Sequence, residues 1–274
     1  MKRIAYHDED PDGWMSAAII LHRFPDAKMY QVSKKGADRL DLESGFDEVY
    51  VVDHGLWNEE NLRRLKSQNK KLIWIDHHKS SIDSYATEYE GLRDTNDAAC
   101  VLTWKYLFPD EPIPKAVFYI GEGDMWRFSD PNTKLFKLYT RTVEFGKEVQ
   151  EYQKMLSKDD LSQELHIGEL LRKYEGNLIE EMYKGGVKRD FLGYKAMVFD
   201  GEILRSELGH IACKRNPDID FSVVRKTEYI NEKGEQVYKY SLRSETVDVS
   251  KIANRFPNGG GHKAAAGFHS TEVL

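Results

Sequence analysis

Three short apolar runs punctuate the first part of the chain: Ile4–Tyr6, Glu48–Val52 and Lys71–Ile75. The second and third are rich in β-branched and aromatic residues and too short for helices, so they read as buried strands. Between them lie polar stretches of helical character, Gly13–Phe24 and Trp57–Gln68. Such alternation predicts βαβ units and a parallel sheet. From about Val143 to Lys184 the period changes. Leu161, Leu165, Leu170, Leu171, Tyr174, Leu178 and Met182 recur near helical spacing among many charges, until Gly185-Gly186 stops the helix. Beyond it, Phe191–Val198, Asp220–Val224 and Val237–Arg243 read as strands, Ser206–Arg215 as a helix, and Val249–Phe256 as a helix running into a glycine cluster. The expected fold class is α/β. A parallel-sheet domain spans 1–140, a helical connector 141–188, and a smaller α/β domain 189–274.

Composition narrows the function. Hydrophobic residues make up 40% and charged residues 31% of 274, a globular balance. No apolar run approaches the roughly 18 residues of a membrane span, and acids from Asp8 onward interrupt the N-terminal stretch, so neither a span nor a signal peptide is expected. Cys100 and Cys213 have no metal-type spacing, which suits a reducing, cytoplasmic setting. The net charge of −6 argues against a coat for long nucleic acid, whose binding draws on a surplus of cations, and favours a short phosphate substrate.

The three strands end alike: in His7-Asp8-Glu9-Asp10-Pro11-Asp12-Gly13, in Asp53-His54-Gly55 and in Asp76-His77-His78. Taken singly, an Asp or His there is a turn former or a helix cap. In an open α/β sheet, however, ligands bind beyond the carboxyl ends of the strands. Parallel, adjacent strands would bring all three clusters to one edge. Packed carboxylates repel one another and resist desolvation, and a divalent cation relieves both. Carboxylate with imidazole suits manganese, and less firmly magnesium, zinc or iron(II). Asp10 and Asp12 can address two neighbouring metals, and Asp53 can bridge them.

Asp76-His77-His78, together with Asp10-x-Asp12-Gly13 preceded by a histidine, the lone Asp53, and Gly123-Asp124-Met125-Trp126-Arg127-Phe128, resembles the DHH phosphoesterase family. Gly259-Gly260-Gly261-His262-Lys263-Ala264-Ala265-Ala266-Gly267-Phe268, preceded by Ser241–Ser244 and Asp248–Ser250, is similar to the signature of its DHHA1 domain. The resemblance covers nearly the whole chain, in order. One departure is that His7 stands three residues before Asp10 rather than two, which leaves Glu9 as a rival ligand.

The resemblance implies a DHH domain, a connector and a DHHA1 domain, with the active site in the cleft. One metal would take His7, Asp10 and Asp53, the other Asp12, Asp53, His77 and Asp124. The cofactors would be two divalent cations, manganese first and magnesium second, which activate a water for attack on phosphorus. Asp76 would fix the histidines, and His78 would contact the phosphate or orient a ligand. Trp126 reads as a packing residue rather than a base-stacking one. Arg243, Gly259, Gly260, Gly261, His262, Lys263 and Arg205 would bind substrate, the glycines by allowing close approach and Arg243 by bidentate contact. The implied activity is hydrolysis of short oligonucleotides to mononucleotides, with a homodimer compatible. Rivals are a cyclic or linear dinucleotide phosphodiesterase, a nucleotide 3′-phosphatase, an exopolyphosphatase or pyrophosphatase, and a nucleic-acid-binding module without catalysis.

Overall fold

Strand β1 (Lys2–His7) runs into helix α1 (Pro11–Arg23), which returns the chain to β2 (Lys28–Val32) alongside β1. Strand β3 (Glu48–Val52) pairs with the other edge of β1, and α2 (Glu59–Gln68) leads to β4 (Leu72–Ile75) beyond it. The order is β2-β1-β3-β4, all parallel. The winding therefore reverses between β1 and β3, the position at which open α/β sheets open a crevice. The computed structural model describes residues 1–32, 45–55, 59–84, 89–256 and 258–274, so the expected helix start at Trp57 lies outside the described residues.

Both faces of this sheet are covered, which explains the unbroken apolar runs. Ile4, Tyr6, Tyr50, Val52, Ile73 and Ile75 face a helical layer made by α1, α4 (Ala99–Leu107), α5 (Lys115–Asp124) and α7 (Glu148–Leu156). Ala5, Val49, Val51, Leu72 and Trp74 face Leu62 and Leu65 of α2. Strand β2 was not expected from the sequence. Its Lys-Met-Tyr-Gln-Val run is polar because it lies at the sheet edge, with only Val32 buried. Helix α3 (Lys79–Ser84) follows the third strand-end cluster, and α6 (Pro131–Tyr139) follows α5.

The chain forms two compact units, Met1–Arg172 and Lys173–Leu274, with the boundary inside the long helix α8 (Ser162–Lys184). Residues 141–188, expected as a connector, are shared between the units. Val149, Tyr152, Met155, Leu156 and Leu161 are buried in the first core, and Ile179 in the second. Each segment carries an apolar stripe that finds a core of its own.

In the second unit the order is β5-β6-β7-β8-β10-β9, comprising β5 (Val187–Phe191), β6 (Tyr194–Asp200), β7 (Phe221–Ile230), β8 (Gln236–Arg243), β9 (Gly260–His262) and β10 (Ala265–Ser270). Among the described residues of this unit only β6 and β7 pair in parallel, joined by α9 (Arg205–Arg215). Helix α10 (Val249–Ala253) contributes to the core on one side of the sheet, and α9 to the core on the other. The expected strand Phe191–Val198 is instead a hairpin. Leu192 and Gly193, both at positive φ, reverse the chain between β5 and β6.

Two glycines of the triplet have reasons within this unit. A Cβ on Gly259 would stand 1.8 Å from the Ala253 carbonyl oxygen. One on Gly261, at φ +136, would stand 2.5 Å from Ala266 Cα. Gly260 meets nothing closer than Asn254 Oδ1 at 3.9 Å. Gly259→Ala is therefore expected to lower stability in urea by about 1–3 kcal/mol, and Gly260→Ala to stay within about 0.5 kcal/mol. Equal losses would show that packing does not distinguish them.

Candidate metal centre

Each strand-end acid is placed by hydrogen bonds of its own. Asp10 is the N-cap of α1: its Oδ1 accepts from the backbone N–H of Asp12 at 3.1 Å and of Gly13 at 3.2 Å. Its Oδ2 stands 3.2 Å from His7 Nδ1. Gly13 permits this start, because a Cβ there would lie 2.0 Å from the His7 carbonyl oxygen. Asp12, buried, reaches across to the start of α4, where its two oxygens accept from Ala99 and Cys100 N–H, both at 2.8 Å. Asp76, fully buried, accepts from the N–H groups of His77 and His78 and from His78 Nδ1 at 2.8 Å. It thereby shapes the turn that presents both imidazoles.

Asp53 is the hub. It follows the last residue of β3 at φ +55, a conformation unusual for a residue with a Cβ, and is buried. Its Oδ2 stands 3.3 Å from His7 Nδ1, and its Oδ1 stands 3.4 Å from His77 Nε2 and 3.8 Å from His78 Nδ1. His77 Nε2 also lies 3.6 Å from Asp12 and 3.7 Å from Asp124, the last residue of α5. Among the described residues three donor sets result: His7, Asp10 and Asp53; Asp12, His77 and Asp124; and Asp53, His77 and His78. In each, the donor atoms lie within 4.8 Å of one another.

These residues fit a divalent cation on their own terms. Asp53 Oδ1 and His7 Nε2 are buried without a hydrogen-bond partner, which is costly unless something else engages them. His7, and not Glu9, stands in these donor sets; Glu9 Oε2 lies 3.9 Å from His7 Nε2.

The cluster's electrostatics follow. Burial opposes charge on His7, but hydrogen bonds to Asp10 and Asp53 prevail and hold it up at about 10. Burial likewise opposes charge on His77, and Asp53, Asp12 and Asp124 raise it to about 9. Burial pushes Asp53 upward, yet His7 and His77 bring it to about 2. Asp12 is driven well up by burial and then by Asp53 and Asp124. His54, half-buried with its ring 5.8 Å from that of His7, is depressed by desolvation and by His7 to about 4 and is neutral.

Several neighbours of the cluster stand outside any motif of the sequence. A cavity of about 230 Å³ is lined by Asp10, Asp12 and Asp124 together with Tyr119, Lys137 and Thr140. None of these last three stands in a recognisable motif. Trp126 requires a correction: it was expected to pack, but it is 73% exposed at φ +53, because α5 ends at Asp124 and the chain turns outward.

The expected substrate residues lie in the second unit. Ladder register puts Arg243, Ala265 and His262 on one rung of β8-β10-β9, so Arg243 and His262 share a sheet face. Arg243 donates to Ser206 Oγ at 2.6 Å, beside the first turn of α9, and Arg205 donates to the Glu202 carbonyl at 2.8 Å. Gly259, Gly260, Gly261 and Lys263 lie in or next to β9 on the same edge.

The raised histidines fix a pH dependence. Folded values near 10 and 9 exceed the ordinary imidazole value of about 6.5. Their stabilisation is thus complete below about 6.5 and is lost as pH rises through 9–10. A cation reverses this, because it takes the imidazoles deprotonated. The rise in Tm on adding manganese to chelator-treated protein is expected to widen between pH 6 and pH 8.5. A rise independent of pH would remove the histidines from the ligand set.

Residues 3–118 match the DHH family, N-terminal domain. The chain is 25% identical over 256 residues to oligoribonuclease NrnB of Bacillus subtilis (strain 168), covering 83% of this chain and 60% of that protein. Its fold is similar to the pGpG-specific phosphodiesterase PggH from Vibrio cholerae, with a TM-score of 0.53 at 15% identity over 98% of this chain and 92% of that one. It is also similar to exonuclease RecJ bound to manganese, with a TM-score of 0.52 at 15% identity over 97% and 85%. The chain spans 60–66% of the length of the sequence relatives it matches. Among the described residues, no helix is long and apolar enough to cross a membrane. The matched stretch contains β1 to β4 and every clustered strand-end residue from His7 to His78, so the similarity of this chain to the DHH family's N-terminal domain takes in the strand ends that carry the donor cluster.

Proposed function

We propose that this protein is a metal-dependent phosphoester hydrolase that cleaves phosphodiester bonds of short oligonucleotides, releasing mononucleotides. The observation that carries the reading is that two donor sets share Asp53, whose two oxygens face His7 on one side and His77 on the other, and that His77 joins it to the third set. His7, Asp10 and Asp53 would hold one divalent cation, and Asp12, Asp53, His77 and Asp124 a second. Manganese or magnesium there supplies Lewis acidity, lowering the pKa of water and offsetting charge on the phosphoryl oxygens.

The chain's own residues do the rest. Asp12, tied to two backbone N–H groups of α4, cannot swing away from the cluster. Asp76 accepts the hydrogen bond of His78 Nδ1 and raises that imidazole, so that His78, when protonated, would present Nε2–H to a phosphate oxygen. In the second unit, Arg243 and His262, on one rung, and Gly260, whose missing Cβ leaves the backbone approachable, offer a site for a phosphate or sugar. Lys263 and Arg205 add charge. Kinship with an oligoribonuclease supports RNA of a few nucleotides as the substrate.

The test offers a two-to-five-nucleotide RNA, a long single strand, a cyclic dinucleotide and polyphosphate to the manganese-loaded protein. Mononucleotides should be released fastest from the short RNA. Asp76→Asn should weaken metal affinity or activity about 10- to 100-fold, as loss of a ligand-orienting partner does. Faster turnover of another panel member would move the substrate assignment, and hydrolysis of none of them would refute the reading.

A further inference from the structure

Two residues beyond Asp124, the chain does something costly. Trp126 and Phe128 both adopt positive φ, +53 and +48, where a Cβ is strained. The distortion is held in place from below. Buried Glu122 accepts from both the N–H and the hydroxyl of Ser129, each at 2.6 Å, and its carbonyl accepts from Arg127 N–H at 3.0 Å. A loop fixed so firmly could have turned its indole inward. Instead Trp126 stands 73% exposed, edge-on to Phe128 with ring centroids 5.6 Å apart.

Cations surround the rings. Lys137 and Lys134 are neighbours on one face of α6. Lys137 Nζ lies 4.5 Å from the Trp126 centroid and 5.7 Å from that of Phe128, and Lys134 Nζ lies 5.5 Å from Phe128. Lys137 also lines the cavity walled by Asp10, Asp12 and Asp124. One lysine thus borders both the carboxylate cluster and the exposed indole. An exposed aromatic face beside ammonium groups is what single-stranded nucleic acid uses: the ring stacks a base of any sequence, and the cations answer the backbone charge.

We propose that Trp126, backed by Phe128 and flanked by Lys134 and Lys137, stacks the nucleobase adjoining the phosphate held at the metal centre. This rests on the hydrolase reading above and narrows its substrate to single-stranded di- and oligonucleotides, excluding polyphosphate. Because stacking reads a π-face rather than base edges, the site is tolerant of base identity.

The test compares a 5′-phosphorylated RNA dinucleotide with its two abasic analogues, each lacking one base. Trp126→Ala should raise KM for the complete dinucleotide about tenfold, the scale of one lost stack, with kcat little changed. Trp126→Phe should recover most of the loss. On the analogue lacking the stacked base, variant and wild type should converge. Equal losses on all three substrates would overturn the proposal, as would a changed oligomeric state of Trp126→Ala in gel filtration, which marks a self-association surface. The dinucleotide should also quench tryptophan fluorescence in the metal-loaded wild type and not in Trp126→Phe. Turnover of polyphosphate with every nucleotide untouched would overturn the stacking site while the metal hydrolase stands. If nothing is hydrolysed, the activity reading fails, and the quenching alone decides for or against the stacking site.

Discussion

A buried carboxylate between two imidazoles, Asp53 between His7 and His77, is the constraint to which the N-terminal unit is built. An isolated buried carboxylate is strongly disfavoured, and one oxygen of Asp53 lacks even a hydrogen bond. Only a fold that delivers compensating charge from several directions can keep it. The parallel sheet does this by construction, because β1, β3 and β4 lie side by side and end at one edge. The reversal of winding between β1 and β3 sends α1 and α2 to opposite faces and leaves that edge open.

How much of this was legible depended on what each residue's environment does to its type. Strands β3 and β4 are covered on both faces, so burial wrote itself into continuous apolar runs. Edge strand β2 is wetted, its residues are polar, and no run marks it. The hairpin at Leu192-Gly193 was missed because Leu192 is an apolar residue in a turn conformation that usually selects Gly, Asn or Asp. The strand-end acids were found because three coincided with apolar runs. Asp124 sits at the end of a helix, where only the family pattern singled it out.

Lys137 and the outward turn of Trp126 were invisible for another reason. Their meaning lies in tertiary neighbours, namely a cavity wall and a loop anchored by Glu122, and neither leaves a spacing in the sequence. The glycine triplet shows the converse. Its three residues look equivalent as a motif, yet backbone approach dictates Gly259 and Gly261 and leaves Gly260 unconstrained.

From sequence, an aspartate at a strand end reads either as a helix cap or as a metal ligand, and the two readings compete. In the folded chain they are one arrangement. Asp10 caps α1 with one oxygen and turns the other to His7. Asp12 serves α4, whose own N-cap, Ala98, has no side-chain oxygen to offer. Asp76 binds the two N–H groups of the turn that carries the histidines. Backbone N–H groups at helix starts carry partial positive charge, so capping lowers the cost of holding these carboxylates ionised together. A carboxylate has about four lone-pair sites, and a cap takes one or two of them. Capping therefore orients the remaining lone pairs without using them up. The same hydrogen bonds that start the helices also aim the acids at a common point.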